Sequence, residues 1–260
     1  MHYETRGQGQ PVILIHGLFG NIDNLKNLAI SLESDFQVTR VDVPNHGLST
    51  HWQHMDYVNL ASAFIELLDS LNIEKANFVG HSMGGKIAMA IALLHPKRVS
   101  GLVVADIAPV AYQPRHDDVF RALNSLNLSD TDRKRALAHM LEHNIDEGTA
   151  QFLLKNLQRS DGGFKWKMNL TGLQQSYPDI IGWPFTKQSQ LPWQPFQLPC
   201  LFVRGGDSNY VTAEHRQEII EQFPKVAAKT LNGTGHWLHA QKPEIFNRIV
   251  KDFLVQNQSN

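Results

Sequence analysis

Short apolar segments along this chain alternate with longer segments in which apolar residues recur every three or four positions. Residues 12–15 and 36–41 are two of the short segments and are predicted to be internal strands. Between them, residues 24–34 place their apolar side chains on one helical face. Strands that alternate with helices in this way are typical of an α/β fold, in which helices flank a mostly parallel central sheet.

The same alternation continues in the first and last parts of the chain. The further predicted strands are residues 76–79, 99–105, 200–203 and 226–231. The further predicted helices are residues 57–71, 86–94, 213–223 and 243–255.

The alternation of strand and helix patterns stops between residues 109 and 198, where helical patterns precede a segment rich in proline. The helical patterns cover residues 117–126, 130–142 and 149–157. This block is predicted to be a small helical cap inserted between core strands. Residues 1–108 and 199–260 would then form the α/β core domain, and a minority of the cap's aromatic side chains would line a substrate pocket.

The composition narrows the possible partners. The 260 residues are 42% apolar and 19% charged, and the formal net charge is −1. This balance predicts no binding of nucleic acid, and no apolar run approaches the roughly 20 residues of a membrane span. A single cysteine, Cys200, lies in an apolar segment and fits a buried strand residue in a reducing compartment. A cytoplasmic protein is expected, since the first residues also lack the pattern of a signal peptide.

The pentapeptide Gly80-His81-Ser82-Met83-Gly84 carries the main chemical signal. It follows a predicted strand and precedes a predicted helix, and G-x-S-x-G in that context is typical of a turn that exposes a nucleophilic serine. Glycines let the two backbones approach closely, and the N-terminus of the helix stabilises negative charge beside the serine oxygen. Ser82 is therefore predicted to be a nucleophile.

Two loops at opposite ends of the chain add the groups that such a serine needs. Residues 16–19 follow the first predicted strand, and the Leu18 N–H is predicted to form an oxyanion hole with the Met83 N–H. His236 follows the last predicted strand. In that position its imidazole can take the proton from the serine and return it to the leaving group.

The identity of the acid that orients the histidine is open between two aspartates. Asp207 lies near the common position, after the strand at residues 200–203, but Ser208 stands where the aspartate belongs in that pattern. Asp106 ends the strand that follows the nucleophile, and it is favoured over Asp207. Another carboxylate, Asp42, lies in a turn-rich segment and is predicted to accept hydrogen bonds from backbone N–H groups that support the oxyanion loop.

No metal or other cofactor is predicted. His51 with His54, and His139 with His143, have spacings that suggest a metal, but no carboxylate or thiol cluster completes either site.

The chain resembles the α/β-hydrolase superfamily over essentially its whole length, and within it the YbfF-type bacterial esterases and their mitochondrial relatives. The matching stretches are residues 16–20, 45–49, 80–86, 106–110 and 235–240. The resemblance implies hydrolysis of carboxylic esters, with acyl thioesters as a further substrate class, and a small helical cap over the site. It also implies that the acid is Asp106, paired with Ser208. Pro44 departs from the family, which usually has arginine at that position.

The expected reaction is acyl transfer through an acyl-enzyme on Ser82, with a small-molecule ester or thioester as substrate. The candidate substrate-binding residues are His16, Phe19, His81, Trp183, Tyr210 and Trp237. The same fold and triad also support a carbon–carbon bond hydrolase or a lyase, and a non-catalytic ligand-binding relative is a third alternative. The sequence leaves open the natural substrate, its chain length and the oligomeric state.

Overall fold

A computed structural model describes residues 1–258; Ser259 and Asn260, the end of the predicted core domain, lie outside the described residues. The strands are β1 (Tyr3–Arg6), β2 (Gln10–Ile15), β3 (Phe36–Val41), β4 (Ala76–His81), β5 (Val99–Ala105), β6 (Leu157–Ser160), β7 (Gly163–Trp166), β8 (Cys200–Gly205) and β9 (Val226–Leu231). The helices are α1 (Lys26–Leu32), α2 (Tyr57–Ser70), α3 (Met83–Leu94), α4 (Asp117–Ser125), α5 (Arg133–Glu142), α6 (Glu147–Leu153), α7 (Leu170–Gln175), α8 (Tyr177–Ile181), α9 (Arg216–Gln222), α10 (Leu238–Gln241) and α11 (Pro243–Gln256).

Seven strands form the central sheet, in the order β1-β3-β2-β4-β5-β8-β9. All neighbours pair in parallel except β1, which runs antiparallel to β3 at one edge. The fold predicted from the alternating pattern, a mostly parallel sheet flanked by helices, is therefore confirmed. Strand β1 was not predicted, because its four residues are all exposed and lack an apolar pattern.

Both faces of the sheet are covered, because successive side chains of a strand point to opposite sides. On one face, Ile13 and Phe78 join a core with helices α2 and α3. On the other face, Val12 and Val79 join a second core with helices α1 and α11. Strands buried on both faces read as continuous apolar runs, which is the pattern seen in the sequence.

Residues 109–198, called here the inserted segment, lie between β5 and β8 and add no strand to the central sheet. They contain helices α4 to α8 and a hairpin of β6 and β7, which pair only with each other. The three predicted helical stretches correspond to α4, α5 and α6, and the hairpin begins where the predicted loop-rich stretch follows them. Of the two glycines interpreted as part of a loop-rich stretch, Gly162 lies in the hairpin turn with a φ of 85°, and Gly163 begins β7 with a φ of 142°.

The connection from β4 to α3 consists of one residue, Ser82, whose φ of 54° and ψ of −121° are strained for a serine. Glycine is required on both sides of it. A Cβ atom added to Gly80 would lie 2.1 Å from the Gly84 carbonyl oxygen, and one added to Gly84 would lie 2.2 Å from the Ile15 carbonyl oxygen. Helix α3 consequently begins in backbone contact with the end of β2.

Replacing Gly84 by alanine should destabilise the fold strongly, because the new methyl group meets backbone that cannot move away. We expect Gly84→Ala to lower the free energy of unfolding by about 3 kcal/mol or more, at the upper end of the overpacking range. Urea unfolding of the purified variant measures this loss. Gly235→Ala is the matched control, since a Cβ atom there meets nothing within 4 Å. Equal stability of the two variants would contradict the packing argument.

Candidate active site

Ser82, His236 and Asp106 form a continuous hydrogen-bonded chain at the carboxyl edge of the central sheet. The Ser82 Oγ lies 2.9 Å from the His236 Nε2, and the His236 Nδ1 lies 2.8 Å from an Asp106 carboxylate oxygen. A carboxylate only accepts hydrogen bonds, so Nδ1 carries the proton and Nε2 is free to accept from the serine hydroxyl. The arrangement can remove a proton from Ser82 and hold it on the imidazole.

The Asp106 carboxylate is buried, and both of its oxygens accept hydrogen bonds. One oxygen accepts from the Gly205 N–H at 2.8 Å, and the other accepts from the Ser208 hydroxyl as well as from His236. Since β5 pairs with β8, the end of one strand lies beside the loop that follows the other. Asp207 in that loop is exposed and makes no ion pair with His236 among the described residues.

The His236 ring is fixed from two further directions. The Tyr210 ring stacks on it with 3.8 Å between the centroids and an interplanar angle of 16°. The His81 Nε2–H donates to the His236 carbonyl oxygen at 2.8 Å, which connects the loop carrying His236 to the nucleophile turn. Burial and the neighbouring His239 and His236 hold the pKa of His81 well below its ordinary value, so His81 stays neutral.

Two backbone N–H groups beside Ser82 are free to receive negative charge. Among residues 1–258, neither the Leu18 N–H nor the Met83 N–H has a hydrogen-bond acceptor. The turn at residues 17–20 brings Leu18 close, since a Cβ atom on Gly17 would lie 3.2 Å from the Ser82 Cβ. The Phe19 N–H is not available, because it donates to the His46 Nε2 at 3.1 Å.

A cavity of about 420 Å³ opens over Ser82, between the sheet edge and the inserted segment. Its wall is largely apolar, with Ile107, Val119 and Ile145 among the lining residues. The aromatic rings of Phe152 and Trp237 are in contact, with 4.2 Å between their centroids, and both residues line this cavity and a second cavity of about 450 Å³. These two residues are therefore shared by the walls of the two cavities.

The candidate substrate-binding residues divide into two groups. Phe19, His81, Tyr210 and Trp237 line the cavity, whereas His16 and Trp183 do not. His16 is buried behind the nucleophile turn, where its Nε2 accepts from the Val43 N–H at 3.1 Å. Trp183 is buried among core side chains, and its Nε1–H donates to Gln222. His16 and Trp183 thus lie outside the wall of this cavity, because the hydrogen bonds of both rings are made inside the protein.

Two basic side chains of the cavity were not predicted. Lys86 is buried in the nucleophile helix, where its Nζ donates to the carbonyl oxygens of Ile181 at 2.9 Å and Gly182 at 2.7 Å. Burial lowers the pKa of Lys86 well below its ordinary value. A lysine inside an apolar helical pattern is a signal that the sequence did contain. Arg115 lies in a loop, with its guanidinium 4.4 Å from the Tyr210 ring centroid, and no local pattern points to it.

The structure offers no candidate metal centre, since no group of three or more histidine, cysteine, aspartate or glutamate side chains comes together within residues 1–258. His139 and His143 lie side by side, with Ser125 between their Nε2 atoms. Within the same described range, no helix is long and apolar enough to cross a membrane.

A serine, a histidine and an aspartate joined in this order at the carboxyl edge of a parallel sheet are the arrangement of a serine hydrolase. The family model described as alpha/beta hydrolase fold matches residues 10–243. The chain belongs to the α/β-hydrolase family.

Relatives within this family resemble the chain over most of its length. It is 41% identical to "Esterase YbfF" of Escherichia coli (strain K12), covering 96% of this chain and 95% of the relative. It is 33% identical to "sn-1-specific diacylglycerol lipase ABHD11" of Xenopus tropicalis, covering 97% and 80%. Among solved structures, "Marine microorganism esterase" superposes with a TM-score of 0.91 at 35% identity, covering 97% of this chain and 98% of that one.

Buried neutral histidines around the site should make the fold sensitive to mild acid. Burial lowers the pKa of His46 and of His239 to about 3, whereas an unfolded histidine takes up its proton near pH 6.5. The unfolded state therefore binds more protons between these values, and stability is lost as the pH falls. We expect the free energy of unfolding to drop between pH 6 and pH 5 by about 1.4 kcal/mol per pH unit for each such histidine.

Urea unfolding of the wild type and of His46→Gln at pH 8, 6 and 5 measures this slope. In the variant, the slope of the free energy of unfolding between pH 6 and pH 5 should be smaller by about 1.4 kcal/mol per pH unit. An identical slope in the two proteins would show that His46 is not buried in its neutral form.

Proposed function

We propose that this chain hydrolyses carboxylic esters with Ser82 as the nucleophile, His236 as the general base and acid, and Asp106 as the group that orients the imidazole. The relatives named esterase and lipase support an ester as the substrate. The observation that carries the assignment of residues is the unbroken relay from the Ser82 Oγ through His236 to Asp106, with two free amide N–H groups beside it.

In the acylation step, the His236 Nε2 takes the hydroxyl proton while the Ser82 Oγ attacks the ester carbonyl carbon. Negative charge then develops on the carbonyl oxygen, which the Leu18 and Met83 N–H groups stabilise. Asp106 stabilises the imidazolium that has formed. The His236 Nε2–H next protonates the departing alcohol oxygen, the carbon–oxygen bond breaks, and the acyl group remains on Ser82.

In the deacylation step, water takes the place of the alcohol. His236 removes a proton from the water as its oxygen attacks the acyl carbonyl carbon, and the same two amides hold the second oxyanion. The proton then passes from His236 to the Ser82 Oγ, which releases the carboxylic acid. Every proton in both steps moves through Nε2, so the reaction needs no cofactor.

The substrate is proposed to be a small acyl ester, with acyl thioesters as a further class. A cavity of about 420 Å³ with a largely apolar wall fits an acyl chain of modest length. Aryl esters and acyl thioesters of graded chain length, assayed side by side, would define both the preferred acyl length and the leaving group.

The inserted segment is proposed to act as a cap domain over a core of residues 1–108 and 199–260. Its placement between β5 and β8, and the cavity between it and the sheet edge, support this division. A cytoplasmic location is proposed from the single cysteine, Cys200, which is buried; burial also raises its pKa to about 12 and leaves it a poor nucleophile.

Removing the nucleophile should abolish ester hydrolysis. Ser82→Ala is expected to lower kcat on an aryl ester by on the order of 10⁶, as for nucleophiles of other triads. Circular dichroism of the variant controls for folding. An undiminished rate would rule out the proposed mechanism, and failure of a phosphonate to label Ser82 in the wild type would count against an acyl-enzyme.

The two candidate acids should differ sharply in their effect on turnover. Asp106→Asn is expected to lower kcat by about 10⁴, because an amide in place of the carboxylate favours the wrong imidazole tautomer. Asp207→Asn, one strand end away and exposed, is the matched control and should change kcat less than about twofold. If Asp207→Asn lowers kcat more than Asp106→Asn in steady-state assays, the acid is Asp207 in the loop after β8.

A further inference from the structure

The oxyanion turn at residues 17–20 carries a conformation that needs support. Phe19 has a φ of 60°, in the left-handed region that bulky side chains rarely adopt. Such a residue keeps this conformation only where its surroundings fix it from several sides. The Gly20 N–H donates to the Gly17 carbonyl oxygen at 3.0 Å, which closes the turn from within.

Phe19 is also held by hydrogen bonds from two different parts of the fold. On the core side, the Phe19 N–H donates to the His46 Nε2 at 3.1 Å. On the other side, Asn156 reaches in from the inserted segment, and its Nδ2–H donates to the Phe19 carbonyl oxygen at 2.6 Å. The Phe19 ring also packs against that segment, with 5.3 Å between its centroid and that of Phe120.

Asn156 is itself held rigidly. The two Nη groups of Arg133 donate to the carbonyl oxygens of Leu154 and Leu157, one residue or two away on either side of Asn156. The Asn156 carbonyl oxygen accepts from the Lys167 N–H at 2.9 Å, at the open end of the hairpin. A side chain on a backbone fixed in this way transmits the position of the inserted segment to Phe19.

The side chain of Asn156 is fully buried, and its Oδ1 has no hydrogen-bond partner among the described residues. Turning the amide over would place Oδ1 against the carbonyl oxygens that Nδ2 now contacts, so the donor orientation is the only favourable one. A buried amide with an unpaired acceptor is costly, and an apolar residue would avoid that cost. An asparagine at position 156 is therefore favourable only because of its Nδ2–H donor.

The donor begins a chain of hydrogen bonds that ends at the oxyanion. The Asn156 Nδ2–H binds the carbonyl of the peptide between Phe19 and Gly20, and the N–H of that peptide binds the Gly17 carbonyl. The Gly17 carbonyl belongs to the same peptide group as the Leu18 N–H. Hydrogen bonds in series polarise one another, so each bond upstream makes the Leu18 N–H a better donor.

Resting on the proposed function, we propose that Asn156 is a positioning residue for the oxyanion hole. It orients and polarises the Leu18 amide from the inserted segment, through the peptide groups of the oxyanion turn. Docking of the inserted segment thus completes the catalytic machinery, in addition to closing the cavity.

The test is the full-length variant Asn156→Leu, which keeps a similar volume and removes the donor. We expect kcat to fall by about 10- to 100-fold with KM within about twofold, less than the 10²- to 10³-fold loss when an oxyanion donor is deleted outright. A trifluoromethyl ketone adds to Ser82 and places its oxygen in the oxyanion hole. Its inhibition constant should rise by the same factor as kcat/KM falls.

Ser176→Ala is the matched control. The Ser176 hydroxyl is also buried in the inserted segment and accepts from the Met55 N–H of the core at 2.9 Å, away from the oxyanion turn. It should lower the melting temperature without changing kcat. If Asn156→Leu does not fold, Asn156→Ala replaces it; water can enter the space that alanine leaves, so its loss of kcat should be smaller but in the same direction.

The outcomes separate the two proposals. If the ketone inhibits the wild type and Asn156→Leu equally, or if the variant changes KM alone, the role of Asn156 is refuted and the proposed function stands. If the wild type is not inhibited and Ser82→Ala retains full activity, the proposed function fails, and the inference fails with it.

Discussion

The close approach of helix α3 to the end of strand β2 is the constraint on which the active site depends. Gly84 has no side chain, so the first turn of the helix rests on the carbonyl oxygens of Ile15 and His16. This contact leaves room for a single residue between β4 and α3, and that residue is Ser82. It also brings the loop after β2 beside the serine, close to the Leu18 and Met83 amides that are the proposed oxyanion donors. One backbone contact therefore positions both the proposed nucleophile and the proposed oxyanion donors.

The position of the acid follows from the order of the strands. Since β5 and β8 are neighbours in parallel register, a carboxylate at the end of either strand can reach the same imidazole. Asp106 has a φ of 51°, which turns its side chain toward the loop after β8. There it accepts from Gly205 and Ser208 as well as from His236. A serine at 208 then serves as a donor to the acid, where a second carboxylate would repel it.

Local patterns predicted the parts of the molecule that local chemistry determines. The strands and helices of the core, the serine turn and the two loops with Leu18 and His236 all carry short-range signals of spacing and residue type. Strand β1 carries none, because its four residues are all exposed, and the strands of the β6–β7 hairpin are only four residues long, too short for an alternating pattern to be recognised. The contact of Asn156 with Phe19 joins residues 137 positions apart, so it depends on how the inserted segment docks and no pattern in the sequence reveals it.

The groups that support the oxyanion turn share one electrostatic property, which explains their identity. His46 donates its Nδ1–H to the Pro44 carbonyl oxygen, so its Nε2 accepts from Phe19 as a neutral ring. Burial holds its pKa near 3 and keeps it neutral. A carboxylate would accept the same hydrogen bond, but its negative charge would oppose the oxyanion that forms two peptide groups away. An ammonium in place of Asn156 would donate, but it would need a counter-ion in a buried site. An imidazole and an amide supply the acceptor and the donor without adding charge beside the transition state.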